Sequence, residues 1–134
     1  MNKKTNAAVN SALEDLRRAF PDQTFDVVSD DSGGAFVTAS SFSLGSQYQQ
    51  DETWVGFHIT FQCPHADVYP HFCDPCLSRV DGKRLGAGFS NTRWNCKPDR
   101  RPATQISRRS RRFNPAVDTP ALKLAKVIQW INEQ

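Results

Sequence analysis

Hydrophobic residues near the N-terminus recur at every third or fourth position. The residues that share this spacing are Val9, Leu13, Leu16 and Phe20. Because an α-helix has about 3.6 residues per turn, they form one stripe, which predicts an amphipathic helix from about Ala7 to Phe20. Thr5 or Asn6 can cap its start, and Pro21 ends it because proline has no backbone N–H. Residues 1–5 are expected to form a frayed tail.

The spacing then changes to two, which is typical of strands. Phe25–Val28 and Ala35–Ala39 are predicted as the first two strands, separated by the turn residues Asp30–Gly34. Trp54–Gln62 is the clearest strand, because apolar and more polar residues alternate along it. Leu77–Val80 is predicted as a short fourth strand.

Residues 83–118 show no regular spacing and are expected to be mostly irregular, which is common for a functional segment. A second helix is predicted from Pro120, with Thr119 as its N-cap. One face of this helix carries the apolar residues Ala121, Leu124, Ala125, Ile128 and Ile131. The order is a helix, a four-stranded antiparallel meander, an irregular segment and a helix. It predicts a single α+β domain over residues 1–134.

The composition suits a globular domain. The chain has 134 residues, of which 38% are hydrophobic and 23% are charged. No apolar run is long enough to cross a bilayer, and no apolar segment of a secretory signal follows the polar N-terminus. We therefore expect a cytoplasmic protein without a membrane partner.

Four cysteines leave three possibilities open in a reducing compartment: a metal site, a reactive thiol or buried structural residues. Cys63, His65, Cys73 and Cys76 contain the ligand types that zinc prefers, and His71 could replace His65. The alternative is that these cysteines are small buried residues beside a turn and that no cofactor is bound.

The net charge is only +3, but the basic residues are unevenly distributed. Six arginines lie within one short stretch: Arg100, Arg101, Arg108, Arg109, Arg111 and Arg112. Such a patch can bind an acidic protein, a phosphate group or nucleic acid, or it can be a solvated loop. Nucleic acid is the less favoured partner, because aromatic residues for base stacking are not interleaved with these arginines apart from Phe113.

The motifs along the chain resemble those of the E2 (ubiquitin-conjugating-enzyme-like) superfamily. In that superfamily a helix precedes a four-stranded meander, and the third strand leads into a Tyr-Pro turn. Here the strand Val55–Gln62 leads into Tyr69–Pro75, which reads Tyr-Pro-His-Phe-Cys-Asp-Pro. Phe113–Ala116 resembles the aromatic-x-Pro-Ala segment that precedes a later helix. The stretch Gln105–Arg109 is more similar to divergent bacterial E2-like families.

The resemblance implies a UBC-like fold and a cysteine that carries a ubiquitin-like protein as a thioester. The partners would be that ubiquitin-like protein and an E1-like activating enzyme, and the acceptor would be an amine. Cys96 is the cysteine at the matching place, and nearby arginines favour its thiolate. The family's His-Pro-Asn motif is absent. Asn91 or Asn95 could offer a side-chain amide in its place, although neither occupies the position of the motif, and Asn91 is the candidate for the oxyanion donor.

Three residues are candidates for partner binding: Trp94, Arg108 and Arg109. The missing motif keeps a second interpretation open, in which the chain is a catalytically inactive E2-like binding scaffold. A zinc-containing basic module that binds nucleic acid is the third.

Overall fold

Two helices pack on one face of an antiparallel sheet in the computed structural model, which describes residues 4–96 and 99–134. The α+β class is therefore confirmed. The elements are α1 (Ala7–Ala19), β1 (Thr24–Ser29), β2 (Ala35–Ser43), β3 (Glu52–Ile59), β4 (His71–Cys73), β5 (Phe89–Asn95), β6 (Arg100–Ile106) and α2 (Pro120–Asn132).

The two helices form where the apolar spacing predicts them. The side chain of Asn6 caps α1 by accepting a hydrogen bond from the backbone N–H of Val9 at 2.9 Å. The side chain of Thr119 caps α2 in the same way, by accepting a hydrogen bond from the backbone N–H of Leu122, and Pro120 occupies the first turn. Both predicted caps and both helices are thus confirmed, α1 to within one residue at its C-terminal end.

The sheet has six strands within the described residues, where the sequence predicts four. The strand order is β1-β2-β3-β4-β6-β5, so the first four strands are neighbours in chain order. The prediction of Leu77–Val80 as the fourth strand is wrong. The fourth strand is β4, which pairs with β3, whereas the segment at 77–80 makes one isolated bridge between Arg79 and Tyr48. Three residues that are all buried give no alternation from which β4 could be recognised.

Most of the described residues in 83–118 are irregular, as predicted, but the prediction missed the hairpin that β5 and β6 form within this segment. Pro102 lies within β6, and a proline normally argues against a strand. Within β6 only Thr104 to Ile106 pair with β4, so Pro102 lies beyond the end of β4. No neighbouring strand on that side needs the N–H that proline lacks.

The core on the helix face is built from two clusters that α2 connects. In the first cluster, Leu124 of α2 packs with Leu16 of α1 and with Phe57 of β3. In the second, Val127 and Ile131 of α2 pack with side chains of β4 and β6. Neither helix of the described residues has the length and hydropathy that a membrane crossing requires.

Candidate functional site

The sheet face away from the helices carries an aromatic cluster. Its members are Phe36, Trp54, Phe72 and Trp94, which contact one another. The Trp94 ring stacks on Phe72 with 5.1 Å between the centroids, and the Arg101 guanidinium lies 5.1 Å from the Trp54 ring. Trp94 is only 4% exposed. The ring predicted as a partner contact therefore packs inside the protein.

Trp94 lies against a glycine of β3, and this contact predicts a large effect of a small substitution. A Cβ atom at Gly56 would lie 2.2 Å from a ring carbon of Trp94. We therefore expect Gly56→Ala to displace the indole, to lower the free energy of unfolding by about 2 kcal/mol and to shift tryptophan emission to longer wavelength. Urea denaturation followed by fluorescence measures both effects.

Gly86→Ala is the matched control, because a Cβ at Gly86 would meet nothing within 4 Å and its backbone is not left-handed. This variant should be as stable as the wild type or slightly more stable, since alanine restricts the unfolded chain. Equal stabilities of the two alanine variants would contradict the close packing of Trp94 on Gly56.

Cys96, the predicted nucleophile, follows the last residue of β5 and packs in the same buried group as Trp94 and Phe72. It is 6% exposed, and its backbone N–H donates to the carbonyl of Trp94 at 3.0 Å. A thiol that accepts the C-terminus of another protein must be accessible to that protein. In this structure the surroundings of Cys96 suit a packing role better than thioester transfer.

Asn91, the predicted oxyanion donor, is not brought to Cys96. It lies five positions earlier, within β5, whereas Cys96 follows the strand and packs with Trp94. Asn91 and Trp94 are three positions apart in β5, and an odd separation places their side chains on opposite faces of the strand. Asn91 is exposed and lines a separate open cavity of about 540 Å³ beside Ser90 and Thr104.

The other three thiols differ sharply in exposure. Burial raises the pKa of Cys63, and burial also raises the pKa of Cys73 to about 12. These two residues are therefore neutral and enclosed at neutral pH. Cys76 lies in the turn after β4 and is exposed, and it is the only exposed cysteine in the part of the chain that the structure describes.

The residues of the alternative zinc site are spread over different environments. Cys63 packs in the first core cluster and Cys73 in the second, while His65 and Cys76 are exposed. No group of three or more His, Cys, Asp or Glu side chains that could hold a metal ion occurs within residues 4–96 and 99–134. Zinc stays a prediction, which native mass spectrometry tests through a zinc-sized mass increment.

Arg108 and Arg109, the other predicted partner contacts, line a pocket of about 290 Å³ that we call the arginine pocket. The pocket lies between the segment 108–111 and α2. Both guanidinium groups rest on aromatic rings: Arg108 lies 4.9 Å from the Trp130 ring centroid and Arg109 lies 4.0 Å from that of Tyr69. The arginine cluster seen in the sequence thus contributes to a defined concave surface.

A buried ion pair holds this pocket together. The ammonium of Lys123 donates to both carboxylate oxygens of Asp67, at 2.9 and 3.1 Å, and to the hydroxyl of Ser110 at 2.8 Å. The backbone N–H and the hydroxyl of Ser110 both donate to Asp67 at 2.8 Å. Burial alone would raise the pKa of Asp67, but these hydrogen bonds and the charge of Lys123 together hold the pKa below its usual value.

Sequence reasoning missed this trio of Asp67, Ser110 and Lys123. One signal was present: Lys123 lies four residues before Val127, on the apolar face of α2, where a lysine needs a partner. Nothing in the spacing identifies the partner, because Asp67 lies 56 positions earlier in the chain.

His71 is a further buried polar residue that the zinc hypothesis mentioned only as a substitute ligand. It is fully buried beside Phe57, with 5.3 Å between the ring centroids. Neither ring nitrogen has a hydrogen-bond partner among the residues that the structure describes. Burial, with a smaller contribution from the charge of Lys123, lowers the pKa of His71 to about 3 against the opposing charge of Asp67. His71 is therefore neutral at neutral pH.

Comparison with known proteins gives no relative from which a role could be transferred. No family model, curated protein or solved structure matches the chain.

Proposed function

We propose that this protein is an E2-like binding domain that engages a ubiquitin-like protein without forming a thioester on Cys96. The observation that carries the proposal is the burial of Cys96 within the aromatic cluster. An inactive scaffold can enclose this thiol, whereas transthiolation requires an exposed sulfur.

The arrangement of elements supports the E2-like part of the proposal. A helix precedes four strands that pair in chain order, and a later helix packs on the same face of the sheet as the first. The Tyr69–Pro70 turn leads directly into β4. The β5–β6 hairpin stands where the resemblance predicts an irregular active-site segment, and it is this hairpin that encloses Cys96.

A second candidate function follows from Cys76. Its exposed thiol lies in the turn after β4, close in sequence to the Tyr-Pro segment. It would attack the thioester of an E1-like enzyme, form a new thioester with the ubiquitin-like C-terminus and release the E1 thiol. The ubiquitin-like protein would then pass to an amine acceptor.

Alkylation of the folded protein measures the exposure on which both functions depend. We expect iodoacetamide at neutral pH to modify Cys76 rapidly and to leave Cys96 unmodified until the protein is denatured. Peptide mass spectrometry locates the modified residue, and Cys76→Ser is the control that should abolish the rapid reaction. Rapid modification of Cys96 in the native protein would contradict the scaffold proposal.

A transfer assay separates the two functions. The protein is mixed with ATP, a ubiquitin-like protein and an E1-like enzyme, and it is analysed with and without reducing agent. The scaffold proposal predicts co-elution with the ubiquitin-like protein and no reducible adduct. An adduct that persists in Cys96→Ser and disappears in Cys76→Ser would establish the second function, and an adduct with the opposite dependence would restore Cys96 as the nucleophile.

A further inference from the structure

The arginine pocket has an excess of positive charge that its own acidic residues do not neutralise. Five cationic side chains line it: Arg108, Arg109, Arg111, Lys123 and Lys126. Asp118 is the one carboxylate in the lining, and it lies 3.7 Å from Lys126. Asp67 neutralises Lys123 from behind the pocket wall. The three arginines form no ion pair within residues 4–96 and 99–134, so three positive charges are left for a ligand.

Two of the arginines are each supported by an aromatic ring. The guanidinium carbon of Arg108 lies over the Trp130 ring at 4.9 Å, and that of Arg109 lies over the Tyr69 ring at 4.0 Å. The N–H donors of a guanidinium lie in its plane, so a ring over one face leaves these donors free to bind a ligand. Two such donors can bind two oxygens of one phosphate or carboxylate group.

The segment that carries these arginines is fixed before any ligand arrives. Ser110 lies between Arg109 and Arg111, and its backbone N–H and hydroxyl are both bound to Asp67. Lys123, which is 5% exposed, holds the same carboxylate and the same hydroxyl from α2. A preorganised site loses less conformational entropy on binding, so the anchored segment favours affinity.

Charge and size together indicate the class of ligand. A monocarboxylate would neutralise only one of the three available charges, whereas a phosphate monoester carries close to two negative charges at neutral pH. Val127 and Trp130 supply an apolar wall for an organic group. The volume of about 290 Å³ lies at the lower end of ligand pockets, which suits a small molecule or a single phosphorylated group.

We propose that the arginine pocket is a binding site for a phosphate monoester, with the phosphate held by Arg108, Arg109 and Arg111 and the organic group placed against the apolar wall that Val127 and Trp130 form. This site is independent of the thiol chemistry and of the ubiquitin-like partner. The proposal would stand if the proposed function failed.

Calorimetric titration with phenyl phosphate, inorganic phosphate and benzoate tests the proposal. We expect phenyl phosphate to bind most tightly, because it supplies both the double charge and an apolar ring. Arg108→Gln and Arg109→Gln should each weaken its binding by about tenfold, which corresponds to one lost charge-assisted contact. Both residues are exposed, so circular dichroism should show that the variants remain folded.

Arg17→Gln is the matched control, since it removes the same charge from an exposed position on α1 outside the pocket. It should change the affinity by less than about twofold. Absence of binding at about 10 mM phenyl phosphate, or binding of benzoate with equal affinity, would overturn the proposal. An equal loss of affinity in Arg17→Gln would do the same, because it would indicate attraction by net charge alone.

A short single-stranded DNA distinguishes the source of the phosphate. The proposal predicts that phenyl phosphate competes with any bound oligonucleotide and that binding of the small ester survives physiological salt. If only the oligonucleotide binds, with an affinity that falls steeply as salt is added, the pocket is part of a nucleic-acid surface and the monoester site is refuted.

Discussion

Lowering the pH from about 6 to about 4 is expected to remove roughly 3 kcal/mol from the free energy of unfolding, chiefly through His71. Burial lowers the pKa of this residue to about 3 in the folded protein, whereas an exposed histidine titrates near 6.5. Between these values the unfolded chain binds a proton at His71 that the folded protein does not bind. Stability therefore rises with pH across this window and falls on acidification.

The charged groups near His71 do not reverse this direction. Lys123 disfavours a second positive charge, and Asp67 only partly offsets the burial. The pKa values of Asp30 and Asp67 also lie below the ordinary carboxylate value. Their contribution to the free energy of unfolding is complete above about pH 4 and is lost as the pH falls further. It therefore lies outside most of the pH range in which His71 changes the stability.

His71→Leu separates the histidine from all other titrating groups. Leucine has a similar size and leaves no ring nitrogen without a partner, so stability at pH 7 should be unchanged or higher by about 1 kcal/mol. Urea denaturation at several pH values between 4.5 and 6.5 gives the free energy of unfolding as a function of pH. This free energy should change clearly less with pH in the variant than in the wild type. An equal pH dependence of stability in the two proteins would mean that His71 is protonated, or forms a hydrogen bond, inside the folded protein.

Lys123→Met is expected to lower the free energy of unfolding by about 3 kcal/mol. The substitution keeps a long apolar side chain but leaves the carboxylate of Asp67 without its ammonium partner in a largely buried place. Removing one member of a buried ion pair is costly, because the remaining charge loses both solvent and partner. Lys126→Met is the control: this lysine is 60% exposed, and its loss should cost less than about 0.5 kcal/mol.

A double-mutant cycle identifies the cause of that loss. Asp67→Asn combined with Lys123→Met should be more stable than the sum of the single effects predicts, because no unpaired charge remains. Additive effects would show that Lys123 stabilises the fold through the packing of its aliphatic chain and not through its charge. Chemical denaturation of the four proteins at pH 7 gives the required values.

The sequence predicts the helices far better than it predicts the sheet. In α1 and α2, spacing, caps and prolines all agree, and each signal lies within one short segment. The strand β4 is only three residues long, and β6 contains Pro102, so neither has the local pattern of a strand. The conformation of β4 depends on pairing with residues of β3 and β6 that lie more than ten positions away, and a local pattern does not contain such pairings.

In the candidate sites, too, the sequence reveals the individual residues but not the contacts that the fold makes between distant segments. The six arginines are visible in the sequence, but the pocket needs Trp130, Tyr69 and the Asp67–Lys123 pair, which the fold brings together from separate segments. The position of Cys96 along the chain suggests a nucleophile. Its burial depends on how the β5–β6 hairpin packs, and no spacing rule describes that packing.

Helix α2 contributes side chains to both helix-face clusters, and it is synthesised after all six strands. The sheet residues that α2 covers belong to segments made much earlier, from β2 to β6. A nascent chain that has completed β6 but lacks α2 would display uncovered apolar surface on that face of the sheet. Stable folding therefore has to wait for translation of residues 120–132, and during that interval the unfinished chain is a natural client for molecular chaperones.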